Sequence, residues 1–502
     1  MSEHVIIGVL FWLCFILVLL SCRPGSKLHR SSCNVLNRKH FILIFFAIIV
    51  CVFTVTKVMS LPPNWNGEIP DHKDQYERIT ESFLHGHLYF EYDDIDPKLL
   101  EMENPYDREA RDQQQVQYHW DHAFYNGHYY MYFGVVPVFL LFLPFRVIFG
   151  YALPTLYATQ IFATGFILGV FSLFWNLTKR FFKELPLSVY LALSLILSIV
   201  CLRYTIKFPI LYHTAISAGL CLEIWSLFFF TRAVWMTDQE DKALFFAFLG
   251  SLLGALVFGC RPTIAVGNLA AIPLLIIFLK SRKITFKFAM RLIGASLPYV
   301  VVLVLLTAYN QARFGNPLEF GQSYQLTIAD QSSYGSFWER LNPIAILNGI
   351  IFSFADSPTI SVTLSHGGVL WECPVLLLGL SGILDQKTKK QISNNHLTCF
   401  MATLFISVVL IIILQTVSSP KLLRRYSEDY LWLLAILVFL VVGFCYQTVE
   451  KPERYAGIVC WFSIACFFVV CLIFLIQEEG SLTATQPEVY DQLRHILTLG
   501  FK

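Results

Sequence analysis

Long apolar runs alternate with short polar stretches along the chain, and the apolar runs set its architecture. "FILIFFAIIVCVFTV" from Phe41 and "VVVLVLLTAY" from Val300 are typical, and neither carries a charge. A run of about 17 or more such residues can cross the hydrocarbon core as a helix, which satisfies its backbone polar groups internally. The pattern predicts membrane helices over 4–21, 41–60, 153–177, 186–202, 214–231, 243–260, 262–280, 292–309, 369–383, 399–417, 430–447 and 455–476. The run 134–149 differs, with about 15 apolar residues, too few for a full span, together with Pro137, Pro144 and Arg146. It is read as a dipping or interfacial helix. The expected fold is an all-α polytopic membrane protein of about 12 transmembrane helices with a long non-cytoplasmic first loop containing interfacial helices.

Charge fixes the expected orientation. Four basic clusters lie between apolar runs: Arg23 to Lys39, Lys179 to Lys183, Lys280 to Arg291, and Lys387 to Lys390. If all four are cytoplasmic, the helices alternate correctly provided that 134–149 does not cross. The segments then fall out as two helices (1–60), an acidic and aromatic outer loop (61–152), a helix bundle (153–309), a second outer loop with a re-entrant stretch (310–368), C-terminal helices (369–476) and a polar tail (477–502). The first helix lacks a basic leader and a cleavage site and is expected to be retained.

Composition agrees. Of 502 residues, 56% are hydrophobic, 16% aromatic and 14% charged, whereas about a quarter are charged in soluble domains. The net charge of +2 resides in the topology-setting clusters and gives no reason to expect nucleic acid. The 13 cysteines are scattered, most of them in apolar runs, without metal-site spacing, and are read as small hydrophobes.

Candidate chemistry gathers in the expected outer segments. Asp71 and Asp74 precede an amphipathic stretch, Gln75 to Leu84; acids there cap helices, and one at a membrane surface also has a pKa raised toward that of a general base. "YDDIDP" supplies Asp94 and Asp96, a solvated acidic face or ligands for a divalent cation such as Mg²⁺ or Mn²⁺. "HWDHAFYNGHYYMYF" brings Asp121 and His122 among Trp120, Tyr125 and Tyr130; rings anchor a chain at the interface, and rings beside carboxylates and imidazoles also grip sugars. "YNQARFGNPLEFGQSYQL" contributes Arg313, Glu319 and Tyr324, and "KLLRRYSEDYLWLL" contributes Arg424 and Arg425. Together with Arg203 and Arg261 these arginines make a basic surface suited to a lipid phosphate, although arginines near helix ends also snorkel.

These stretches resemble the GT-C superfamily of integral-membrane glycosyltransferases, in a bacterial-type form. The likeness lies in the long loop after an early helix with Asp71, Asp74 and "YERITESFLHGHLYF", in "WDHAFYNGHYYMYFGVVPVFLLFLP", and in the segments around Arg313 and Arg425. The resemblance implies a polyprenyl-phosphate sugar donor and an inverting transfer to a glycan, lipid or protein hydroxyl on the non-cytoplasmic face of a bacterial plasma membrane. It further implies that Asp71, Asp74 or Asp121 is the base and that Arg313, Arg425, Arg424, Arg261 and Arg203 hold phosphate. His122, Trp120, Tyr125, Tyr130, Glu319 and Tyr324 would face sugar or acceptor, and a cofactor is not required. Asp71 and Asp74 are three apart, where the family's acidic pair is adjacent. A flippase or assembly partner for lipid-linked glycans, and a secondary transporter, are the competing readings.

Overall fold

The computed structural model describes residues 3–34, 38–60, 74–335, 337–355, 368–419 and 422–475. The apolar runs form helices: α1 (Glu3–Ser21), α2 (Arg38–Met59), then Thr155–Phe181, Leu187–Cys201, Leu211–Trp235, Glu240–Val257, Phe286–Phe314, Thr398–Ser418, Glu428–Thr448 and Pro452–Leu475. Among the described residues, eight helices are long and apolar enough to cross a membrane. The chain is an integral membrane protein. Leu187–Cys201 has only 15 residues, every one of them buried, which explains why it is apolar on all sides.

Two of the expected spans are broken. Residues 262–280 run as Pro262–Ala265, a tightened turn Val266–Ala270, and Ala271–Lys280. Pro273 has no N–H for the Leu269 carbonyl, so the regular ladder cannot pass. The stretch after Val369 is likewise split around Pro374 into Val369–Glu372, Pro374–Leu380 and Ser381–Leu384. One further apolar helix, Pro343–Ala355, lies in the segment expected to be a loop with a re-entrant stretch.

Between the second and third long helices, the described residues from 74 onward fold onto the bundle. In α3 (Gln75–Leu84), Tyr76 stacks on Phe142 at 5.2 Å and Phe83 on Phe139 at 5.4 Å. Its polar face is tied down as well. Glu81 pairs with Arg146 at 2.6 Å, and Glu77 accepts the Thr155 N–H at 3.0 Å, capping the next long helix. The run expected to dip forms a helical rod over Val138–Phe149. It opens with a wide turn in which the Leu143 N–H bonds the Val138 carbonyl, one residue ahead of Pro144. At 1.5 Å per residue such a rod measures roughly 18 Å, well short of a 30 Å hydrocarbon core.

One element corrects the all-α expectation. "AFYNGHYY" forms a hairpin of β1 (Ala123–Tyr125) and β2 (His128–Tyr130). Asn126 and Gly127 both have positive φ, +48° and +76°, as a two-residue turn matched to strand twist requires.

Candidate functional site

The hairpin's entry is what positions Asp121. Ala123 bridges to Gln325, the Asp121 N–H donates to the Leu326 carbonyl at 3.0 Å, and the Leu326 N–H donates to the His122 carbonyl at 2.9 Å. The Asp121 carbonyl accepts the Gln75 side-chain amide at 3.0 Å. Fixed from three sides, Asp121 adopts φ +61°, a left-handed conformation unusual outside glycine and often found at functional sites.

Its carboxylate is fully engaged. Oδ1 accepts the Tyr132 hydroxyl at 3.2 Å and the Gln325 amide at 3.0 Å, and Oδ2 accepts the Tyr212 hydroxyl. Burial pushes the Asp121 carboxyl above its ordinary value, opposed by the two hydroxyls and by the charge of Arg425.

Tyr132, Tyr212 and Gln325 line a cavity of about 400 Å³, with Asp121 immediately behind them. Three arginines line the same cavity. Arg261 is neutralised by Asp429 at 2.6 Å, and that carboxylate also accepts from Thr263 and Gln415, each at 2.8 Å. The Arg425 guanidinium carbon lies over the Tyr212 ring, 4.1 Å from its centre, and Arg425 forms no ion pair among the described residues. Arg313 donates to the Met131 carbonyl and to Asn310, stacks on Tyr309 at 3.9 Å, and has an Nε with no partner among the described residues. A second, almost wholly apolar cavity of about 650 Å³ shares Phe258, Pro262 and Leu414 with the first.

Of the remaining sequence candidates, Asp74 lies beside the site, next to Leu211 and Tyr212, and most of the others fall elsewhere. Asp71 lies outside the described residues. Asp74 caps α3 through the Gln75 N–H at 2.6 Å; burial raises its pKa, with Thr155 and the Leu211 backbone opposing. Arg203 is fully buried against Glu372, with Nη2–Oε2 at 2.5 Å. Arg424 lines a small separate cavity beside that pair. His122 is held between Trp120 and Tyr92: its Nδ1–H donates to the Trp120 carbonyl at 2.9 Å, so Nε2 accepts the Tyr92 hydroxyl at 2.9 Å. Burial lowers its pKa to about 4, so it is neutral at pH 7.

Tyr125 and Tyr324 meet at 4.5 Å beside Phe314, and Tyr130 packs on the same Phe314 ring at 5.2 Å, a compact aromatic group. Trp120 stands apart, half exposed. Glu319 holds its own turn through the Gly321 N–H and the Ser323 hydroxyl. Asp94 pairs with His119, and Asp96 accepts the Lys98 and Gln117 backbone N–H groups. Among the described residues, no three His, Cys, Asp or Glu side chains are grouped to hold a metal ion. Sequence reasoning missed Tyr132, Tyr212, Gln325 and Asp429. Tyr132 and Tyr212 carried a signal, since both lie where a polar segment enters the membrane.

The site belongs to an integral membrane protein in which an immobilised carboxylate backs onto a cavity lined by two arginines that form no ion pair among the described residues. No protein-family model matches the sequence, and no curated protein matches it. Among solved structures, the crystal structure of the Archaeoglobus fulgidus oligosaccharyltransferase in its apo form is similar with a TM-score of 0.41 and 11% identity, covering 91% of this chain and 56% of that one. The same enzyme, tethered through a disulfide bond to an acceptor peptide containing the NVT sequon, gives a TM-score of 0.42 and 12% identity over 92% and 56% of the two chains. This chain thus spans little more than half the length of the structures it matches.

Proposed function

We propose that this protein is a glycosyltransferase that moves a sugar from a polyprenyl-phosphate donor to a hydroxyl acceptor on the non-cytoplasmic face, with inversion at the anomeric carbon. One observation carries this reading: Arg425 and Arg313, neither of them neutralised by an acid, line the cavity that backs onto Asp121. A guanidinium without an acid partner offers its fork of N–H donors to a phosphate. The adjoining apolar cavity suits the isoprenoid chain of the same molecule.

The chemistry then needs little more. Asp121 is the base for the acceptor hydroxyl, whose oxygen attacks the anomeric carbon opposite the phosphate. The arginines stabilise charge gathering on the departing polyprenyl phosphate, in a site where they need not reorganise.

The test uses purified protein and radiolabelled polyprenyl-phosphate sugars, scoring released lipid phosphate and retained donor separately. Wild type should release phosphate from at least one donor, and Asp121→Asn should retain that donor while losing release. A flippase or assembly partner would retain donor in both forms and release none. Absence of donor binding by wild type would sink both.

A further inference from the structure

Asp121 is almost wholly buried. Its carboxylate sits behind Tyr132, Tyr212 and Gln325, which are wall residues. An acceptor hydroxyl in the cavity therefore meets a tyrosine or an amide before it meets the acid. Gln325 cannot pass a proton on, because an amide N–H is far too weakly acidic. The two phenols can, and they differ. Tyr132 reaches Oδ1, an oxygen that also accepts from Gln325. Tyr212 has Oδ2 to itself and carries the guanidinium of Arg425 over its ring at 4.1 Å. A cation on the ring face stabilises negative charge developing on the phenol.

Building on the glycosyl-transfer reading, we infer that Tyr212 is a catalytic residue that relays the proton from the acceptor to Asp121. As the acceptor oxygen forms its bond to the anomeric carbon, its proton moves to the Tyr212 oxygen, and the Tyr212 hydroxyl proton moves to Asp121 Oδ2. The bond from the anomeric carbon to the phosphate oxygen breaks, and its electron pair leaves with the phosphate. Tyr212 ends neutral and Asp121 ends protonated. Arg425 serves both halves of the step, facing the phosphate and the relay ring at once.

Two measurements on the full chain test this. In the first, detergent-solubilised wild type, Tyr212→Phe, Asp121→Asn, the double variant and Tyr132→Phe are given polyprenyl-phosphate glucose and polyprenyl-phosphate mannose, with water as acceptor. Tyr212→Phe should lose about 10²- to 10⁴-fold in turnover, the range of a lost acid–base group, while retaining donor. The double variant should be no slower than either single one, as for groups that act as a unit. Tyr132→Phe removes a hydroxyl that holds the Asp121 pKa down, so it should move the acid limb of the pH profile upward, whereas Tyr212→Phe loses turnover at every pH. Turnover in H₂O/D₂O mixtures should show two protons in flight. A Tyr212→Phe loss under about threefold, or a single proton in flight, overturns the relay in favour of direct transfer to Asp121.

The second measurement needs no donor. A water-soluble carbodiimide with an amine nucleophile, read by mass spectrometry, should leave Asp121 unlabelled in wild type and label it in Tyr212→Gly. Ready labelling of Asp121 in wild type overturns the relay whatever the donor results. If no donor turns over, the glycosyltransferase reading fails, and the labelling still decides whether Tyr212 stands between cavity and acid.

Discussion

Replacing Glu372 with alanine strips the counter-charge from Arg203, a side chain with no exposed surface. Three donors lose their acceptor together: Arg203 Nε at 2.9 Å, Arg203 Nη2 at 2.5 Å and the Tyr204 hydroxyl at 2.8 Å. Removing one partner of a buried ion pair costs about 3–5 kcal/mol. The Ser427 hydroxyl, 2.7 Å from Nη2, and the Val200 carbonyl, 3.2 Å from Nη1, still hold the guanidinium, so the lower half of that range, about 3–4 kcal/mol, is expected. Domains of about 150–250 residues lose about 2–4 °C per kcal/mol, and scaling to this length gives roughly 1–2 °C per kcal/mol. The thermal midpoint, followed as the surviving monodisperse fraction on size exclusion, should fall by roughly 3–8 °C. Replacing both partners, Arg203→Met with Glu372→Leu, removes charge and counter-charge together and should move it by no more than about 2 °C. A single variant within about 1 °C of wild type, or a paired variant as damaged as the single one, would refute the argument. The paired variant also addresses the phosphate role expected of Arg203. Unchanged donor retention there makes this arginine a strut, and a selective loss of retention at constant midpoint makes it a ligand.

Other expectations follow from neighbouring features. Arg425→Ala should weaken retention of a polyprenyl-phosphate donor by about 10- to 100-fold, the worth of a charged hydrogen bond, measured by scintillation proximity. Arg425→Lys should restore little, because an ammonium offers neither fork nor stacking plane. His122, neutral with its pKa lowered to about 4, contributes stability that is complete above its unfolded value near 6.5 and is lost as pH falls toward 4. The span corresponds to about 3 kcal/mol, and His122→Gln should flatten the fall of the thermal midpoint in that window. Gly134→Ala would set a methyl 2.2 Å from the Cys260 carbonyl and 2.3 Å from that of Gly259. Because the obstacle is backbone at the cavity rim, the variant should lose donor retention and several degrees of midpoint together.

The bilayer made most of the fold legible. A helix that crosses hydrocarbon must be long and uncharged, so runs such as Phe41–Val55 declare themselves. Breaks inside the runs were harder, because Pro273 and Pro374 look tolerable until the packing of their neighbours is known. The hairpin was overlooked for a different reason. Asn126-Gly127 between aromatic residues is a strong turn signal, but the rings had been assigned to a membrane-interface belt. Asp121 stood out as an acid among rings at the membrane edge. Its partners did not, since Tyr212 lies 91 residues away and Gln325 204 residues away. Charge counting treated every arginine alike. The distinction between Arg203 and Arg261, matched to Glu372 and Asp429, and Arg313 and Arg425, left without acids, exists only in three dimensions.

The bridge from Ala123 to Gln325 has a consequence for biogenesis. The ribosome must add about 200 residues after the hairpin before the strand that closes Asp121 exists, which takes roughly 10–40 s at 5–20 residues per second. Throughout that interval the hairpin and α3 have left the ribosome while the edge that Gln325 and Leu326 will cover remains open. A substitution anywhere in the intervening helices that delays their insertion would thus act on the carboxylate's surroundings at a distance, lowering the yield of competent molecules without touching the cavity.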